Sequence, residues 1–317
     1  MTKRLRLLLA LVAALALLGA ACGDDDDGGD ADSNAAQEDG GAPEGPAITI
    51  GAQDFSESAI LSEIYRQRLE AEGFEVSIQN LGGFRDIEIG AFEGGDINFA
   101  AEYAASMLEF LNENAAEATN DATETTEKLQ GYLDERNLTA LEPSEAQDRN
   151  QFVVTEGTSE ETGLETLSDL AEEGAGLTVG GPSDCETNAY CIPGLQRVYG
   201  VDLTGGFTAL DSQTAIADAL EADEIDVGVL FSTSGELTRG GFVVLEDDRE
   251  MLAADNVVPV VTDELVEAYG DELANVVNEV SAALTTDELT ELNKRADIDL
   301  DDPDVIATEW LEENDFG

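Results

Sequence analysis

Histidine is absent from all 317 residues, and lysine and arginine together number 14 against 71 aspartates and glutamates. The first absence removes the commonest general base near neutral pH and the commonest metal ligand. The second leaves a formal net charge of −57. No basic patch is available to oppose such a field, so nucleic acid is excluded as a partner. Aromatics make up 6% of the chain and tryptophan occurs once. No GxSxG elbow is present, and "GGF" and "GGP" lack the spacing of a phosphate loop. A chain with no histidine base and no activated nucleophile is read as a binder rather than an enzyme, with no cofactor and no metal site.

No apolar run reaches the length that spans a bilayer. The longest, Leu7 to Leu18, follows the basic residues Lys3, Arg4 and Arg6, and "LLGAAC" then ends at Cys22. Residues 1–22 therefore read as an export signal with a lipobox-like end, although Gly19 stands where a lipobox has leucine. Cys22 is the expected lipidation site, tethering the protein to the outer face of the cell membrane without spanning it. Residues 23–46 hold nine acids and no large apolar side chain, the composition of a disordered linker. The remainder, 47–317, suffices for one large or two ordinary domains. Its acidity suggests an exported protein of a salt-adapted organism, because self-repulsion is relieved by screening. Cys185 and Cys191 follow an export signal, where a disulfide is favoured, and so short a ring contributes roughly 2 kcal/mol.

Along the chain the text alternates between the two periods of regular structure. "ITIGAQDFSESAILSEIYRQRLEAEGFEVSI" reads as strand, turn, helix and strand. Asp54 with Glu57 has the spacing of a capping box, Leu61, Ile64, Tyr65 and Leu69 share one helical face, and Gly73 ends it. Such a unit implies a parallel sheet. A helix near Asp86–Glu93 and a strand ending at Tyr103 follow, the text changes around Pro143, and a second α/β series begins. Residues 91–103, "AFEGGDINFAAEY", are written again at 219–231 as "ALEADEIDVGVLF". Both copies fit a helix end, a tight turn and a buried strand that finishes on an aromatic, Tyr103 or Phe231. Ligands of open α/β sheets bind outside the carboxyl ends of strands. If the two series face one another, both aromatics meet one cleft; the plainer alternative is that both are core.

The segments "ITIGAQDFSESAIL", "NLGGFRD", "GDINFAAEY", "AQDRNQFVVT", "LSDLA", "GLQRVYG" and "LFSTSG" occur in the order seen in osmoprotectant-binding proteins, which the chain resembles over nearly all of 47–313. These are substrate-binding subunits of ABC importers for glycine betaine, choline and related quaternary amines, and the actinobacterial lipoprotein branch is the most similar. The resemblance implies a two-lobed periplasmic-binding-protein-like α/β fold with two hinge crossovers and a ligand cleft between the lobes. On that pattern residues 47–152 and 235–317 form lobe 1 and 153–234 lobe 2. The implied partners are ABC permease and ATPase subunits; the alternatives are a binder of another small polar or amine solute, or a sensory module on the same scaffold.

A quaternary ammonium has no donor to offer, so aromatic faces must hold it, each for roughly 0.5–2 kcal/mol. The resemblance makes Tyr103 a cage wall and gives Ser106 a ligand hydrogen bond, with Ala104 and Ala105 replacing the family's Thr and Gly. It brings Phe152, Phe231, Phe55 and Tyr190 forward as further walls and Asn150 as a polar contact. Where betaine binders carry two cations on the carboxylate, this chain has Gln53 and Asn188. That loss tilts the expectation toward choline, with Arg197 as the nearest substitute cation. Arg85 in "GGFRD" reads equally as a structural ion pair or a ligand contact.

Overall fold

A computed structural model describes residues 43–316 apart from 175 and 211. The expected signal, Cys22 and nearly all of the acidic linker lie outside the described residues. Among the described residues ten strands make two five-stranded sheets. The first contains β1 (Ile48–Ala52), β2 (Val76–Asn80), β3 (Phe99–Tyr103), β4 (Leu138–Ala140) and, after a long excursion, β10 (Val257–Thr262). The second contains β5 (Asn150–Thr155), β6 (Val179–Gly181), β7 (Phe207–Ala209), β8 (Val227–Phe231) and β9 (Phe242–Val244).

Strand order explains the repeated sentence. The first sheet runs β2-β1-β3-β10-β4 and the second β7-β6-β8-β5-β9. β3 lies parallel to β1 and antiparallel to β10; β8 lies parallel to β6 and antiparallel to β5. The two copies thus build the same central strand in each sheet. Each is fed by a helix, Arg85–Gly94 or Gln213–Glu221, through a turn with one left-handed residue, Gly95 in the first and Asp223 in the second. The backbone bonds match too, Asp96 N–H to the Ala91 carbonyl and Glu224 N–H to that of Ala219.

The helix Ser56–Ala71 buries Leu61, Ile64, Tyr65 and Leu69 completely, as their spacing requires, and Gly73 ends it at φ 92°. Its start differs from the expected capping box. Phe55 is the cap residue and has no polar side-chain atom to supply a bond, while Glu57 turns inward and binds Tyr103 and Asn293. A capping carboxylate cannot also serve a buried cluster.

The chain leaves the first sheet after β4 and returns at β10. The two crossing segments lie antiparallel, joined by Asp148 N–H to the Asp255 carbonyl at 2.9 Å and Val257 N–H to that of Ala146 at 3.0 Å. The expected lobe boundary at 234/235 is too early. β9 pairs antiparallel with β5, Val153 opposite Val244, so the second sheet keeps the chain beyond residue 240. The boundary at 152/153 shifts as well, since β5 belongs to the second sheet from Asn150. The physical reason is edge pairing: "FVV" covers the open side of β5, which would otherwise expose its backbone donors and acceptors. Cys185 and Cys191 are joined in a disulfide, Cα atoms 5.2 Å apart.

Candidate functional site

The lobes meet at two margins. On one side Gly235, opening the short 3-10 turn Gly235–Arg239, presses so closely on the helix Thr286–Asp297 that a Cβ there would lie 2.5 Å from the Lys294 Cα. Asn293 of that helix donates to the Thr233 carbonyl at 2.9 Å and also to Glu57. On the other side the Tyr190 hydroxyl donates to Glu109 Oε1 at 3.1 Å and contacts the Ala118 carbonyl at 2.8 Å. Tyr190 belongs to the disulfide loop of the second lobe; Glu109 and Ala118 belong to the first.

Beside the Tyr190–Glu109 margin lies a cavity of about 210 Å³, lined from both lobes. Four expected site residues, Ser106, Asn150, Asn188 and Tyr190, line it together with Arg85, Glu109, Arg149, Asp184 and Asp255. Leu252 and Arg149 also wall a neighbouring cavity of about 260 Å³. The site is built chiefly of charged and polar side chains, with Tyr190 and the partly exposed Phe110 as its aromatic surfaces.

Asp255 organises the first lobe's wall. The helix Ala104–Leu111 follows β3 without a capping side chain of its own. Asp255, arriving from the crossing segment, accepts from the N–H groups of Ala105 and Ser106 at 2.9 Å each and from the Ser106 hydroxyl at 2.5 Å. A carboxylate at that end also meets the positive pole of the helix. Burial nevertheless dominates and pushes the Asp255 carboxyl up to about 6, against the lowering effect of the Ser106 bonds and Arg85. At the other end of the helix Glu109 accepts three N–H groups, from Ala116, Glu117 and Ala118, and thereby fixes the loop that receives Tyr190.

Gln53 does not reach the cavity. It is 6% exposed and donates to Glu88 at 3.0 Å and to Glu102 at 2.8 Å. Arg85 binds Glu102 through two nitrogens, both at 2.7 Å. Arg85 thus makes a structural ion pair and also borders the cavity. Burial pushes Glu88 well above the ordinary carboxylate range and the adjoining Glu102 charge adds to it. Burial pushes Glu102 the same way, but the Arg85 charge and hydrogen bonds outweigh it and hold Glu102 below that range. Glu102 thus takes the guanidinium, and Glu88 accepts from the Gln53 amide.

Of the expected aromatic walls only Tyr190 lines this cavity. Tyr103 is 4% exposed in the core of the first lobe, with its hydroxyl donating to Glu57 Oε1 at 2.6 Å. Burial, with the Glu57 carboxylate beside it, raises its phenol well above normal. Phe55 packs on it, ring centroids 6.3 Å apart, and is half-buried. Phe152 is 1% exposed inside the second lobe's core, because β5 is a central strand and this residue faces the helices behind it. Phe231, half-buried at the end of β8, gives its N–H to Gln213 and does not line the cavity. Neither aromatic of the repeated sentence therefore forms a cavity wall. Asn188 braces its own loop, accepting from Tyr190 N–H at 2.9 Å. Arg197 donates to the Ala189 carbonyl and stands 5.8 Å from the Tyr190 ring centre, outside the cavity lining.

Arg149, Asp184 and Asp255 escaped the sequence reading. An aspartate carries no signal in a chain with 71 acids. Arg149 did carry one, as a rare cation beside Asn150 in "QDRNQF".

Comparison with known proteins agrees with this architecture. The family model for the substrate-binding domain of the ABC-type glycine betaine transport system matches residues 46–313. The carnitine transport binding protein OpuCC of Listeria monocytogenes is 25% identical over 273 residues, covering 85% of this chain and 87% of the relative. The glycine-betaine-binding protein of Pseudomonas aeruginosa is 23% identical over 283 residues, covering 86% and 90%. The solved structure of a glycine betaine/carnitine/choline ABC transporter protein superposes with a TM-score of 0.73 at 26% identity, covering 85% of this chain and 99% of that one. With two α/β lobes closed on a polar cavity and a family match across both, the chain belongs to the substrate-binding domains of ABC-type glycine betaine transport systems, a family of transport binding proteins rather than enzymes.

Proposed function

We propose that this protein captures a quaternary-amine osmoprotectant outside the cell and delivers it to an ABC permease driven by its ATPase. The observation that carries the reading is the cavity between the lobes, where the Tyr190 ring and the carboxylates of Asp184 and Asp255 offer a cation both an aromatic face and negative charge. The absence of Tyr103, Phe152, Phe231 and Phe55 from the cavity lining speaks for carboxylates taking over most of the work of an aromatic cage. Coulomb attraction suits an ammonium that has no donor, and in a partly desolvated site it exceeds its value in water. Residues from both lobes and the crossing segments share the cavity, so ligand and closure reinforce one another.

Export and anchoring belong to the same proposal. The basic start, the apolar core and "LLGAAC" support cleavage before Cys22 and its lipidation. No helix among the described residues is long and apolar enough to cross a membrane. Replacing Cys22 by Ala would then release the protein from the membrane fraction.

Calorimetric titration of residues 47–317 with glycine betaine, carnitine and choline, at low and at high salt, tests the ligand class. Micromolar binding of at least one is the expected result. Failure of all three at high salt, with the fold shown intact by circular dichroism, would sink the quaternary-amine reading.

A further inference from the structure

Eleven lysines and arginines lie among the described residues, and ten of them are engaged. Seven make ion pairs: Arg66, Arg68, Arg85, Lys128, Arg239, Lys294 and Arg295. Arg136, Arg197 and Arg249 each donate to a backbone carbonyl, and the last two also stand over a tyrosine ring. Arg149 is the exception. Among the described residues its side chain has no ion pair, no hydrogen bond and no aromatic partner, although its backbone is held on both sides by Ser232. In a chain with 71 carboxylates to 14 cations, a guanidinium left without a carboxylate is not a matter of supply.

Its position is informative. Arg149 sits on the first crossing segment, next to β5, and lines both the 210 Å³ and the 260 Å³ cavities. It is half-buried, so its five donors are partly removed from water without receiving acceptors from the protein. A planar guanidinium in that state matches a carboxylate through two parallel charge-assisted bonds. The other cavity cation, Arg85, is already spent on Glu102. A bare anion would meet Glu109, Asp184 and Asp255 around the same cavity, and a bare cation would meet Arg149. A molecule bearing both charges satisfies both ends.

We propose that Arg149 is the anion anchor of this site, and that the binder therefore selects zwitterionic quaternary amines carrying a carboxylate over choline. This rests on the reading that the cavity takes a quaternary amine. It reverses the tilt toward choline that Gln53 and Asn188 suggest, because the missing cation is supplied from the crossing segment. Gln53 is committed to Glu88 and Glu102, so the carboxylate has no claim on it. Arg149 acts on specificity: a ligand without the anion gains nothing from it and incurs repulsion.

The test is titration of the wild type, Arg149→Gln and Arg149→Lys with glycine betaine and with choline, at high salt. The wild type should bind betaine at least tenfold more tightly than choline. Arg149→Gln should weaken betaine roughly 10- to 100-fold, as loss of charge-assisted bonds does, and leave choline unchanged or improved. Arg149→Lys should fall between, keeping charge but losing the fork. Both variants should melt like the wild type, since the side chain bonds to nothing within the protein. Choline binding as tight as betaine in the wild type, or an equal loss of both ligands in Arg149→Gln, would overturn the anchor while leaving the quaternary-amine reading standing. Wild-type protein that binds neither overturns that reading itself.

Discussion

Single residues here are constrained by their neighbours' charge more than by their own shape. Tyr103 shows this: its ring packs on Phe55 while its hydroxyl serves the buried Glu57, whose own carboxyl is pushed up by burial. Tyr103→Phe keeps the ring and removes the donor, so it should cost about 1–3 kcal/mol in urea unfolding. Because Tyr103 lies outside the cavity lining, betaine affinity should move less than threefold; a large change in affinity without a change in stability would restore Tyr103 as a cage wall. Asp255 carries a pH dependence. Its carboxyl stands at about 6 in the fold against 3.8 ordinarily, so the native state holds the proton more tightly. That group's contribution to stability is full below about pH 4, declines as pH rises toward 6, and stays lost above it. Ligand binding runs the other way, because an ammonium beside Asp255 needs the charged form. Affinity should fall as pH drops from 7 to 5, with Arg85 and Glu102 the charged groups that modulate it, and Asp255→Asn should flatten the profile in calorimetry.

Elements place these residues, and the crossing segments matter most. β5 carries Asn150 at its cavity end and Phe152, on the same face but two positions further along the strand, within the core. Phe152→Ala should therefore act as a core deletion and cost about 3–5 kcal/mol. A substitution that spares stability and abolishes binding would contradict that placement. The 3-10 turn Gly235–Arg239 touches the helix Thr286–Asp297 so closely that Gly235→Ala has no room at the Lys294 backbone. That variant should melt at lower temperature and scatter as a more open molecule, whereas an unchanged radius of gyration would show that the margin does not hold the lobes. The disulfide loop brings Asp184, Asn188 and Tyr190 to the opposite margin. Replacing both Cys185 and Cys191 by Ser should remove about 2 kcal/mol and weaken the ligand through a looser wall, measurable by thermal unfolding and titration.

For the whole molecule, charge sets the working conditions. A net −57 distributed over the chain repels itself, and raising salt from 0.1 M to 1 M shortens the screening length from about 10 Å to about 3 Å. The melting temperature should rise with sodium chloride over that range. A salt-independent melting temperature would mean that short local pairing, as in the Arg66 and Arg295 networks, already neutralises the relevant repulsion.

Much of this architecture is legible in the sequence. Period-2 and period-3.6 patterning determined the alternating strands and helices, and the repeated thirteen residues marked the central strand of each sheet, because local backbone preference and burial act within a few residues. The cysteine pair is also legible, and of the expected site residues Ser106, Asn150, Asn188 and Tyr190 line one cavity. Tertiary structure alone decided where the aromatics ended. A strand-end aromatic faces the core or the cleft according to which helix packs over it, and the helix residue Asn293 comes from 236 residues away to bind Glu57, the acceptor of the Tyr103 hydroxyl. It also decided which cation was free. Pairing between charges depends on distances set by long-range packing, so the sequence shows that Arg149 is a rare cation but not that it makes no ion pair among the described residues.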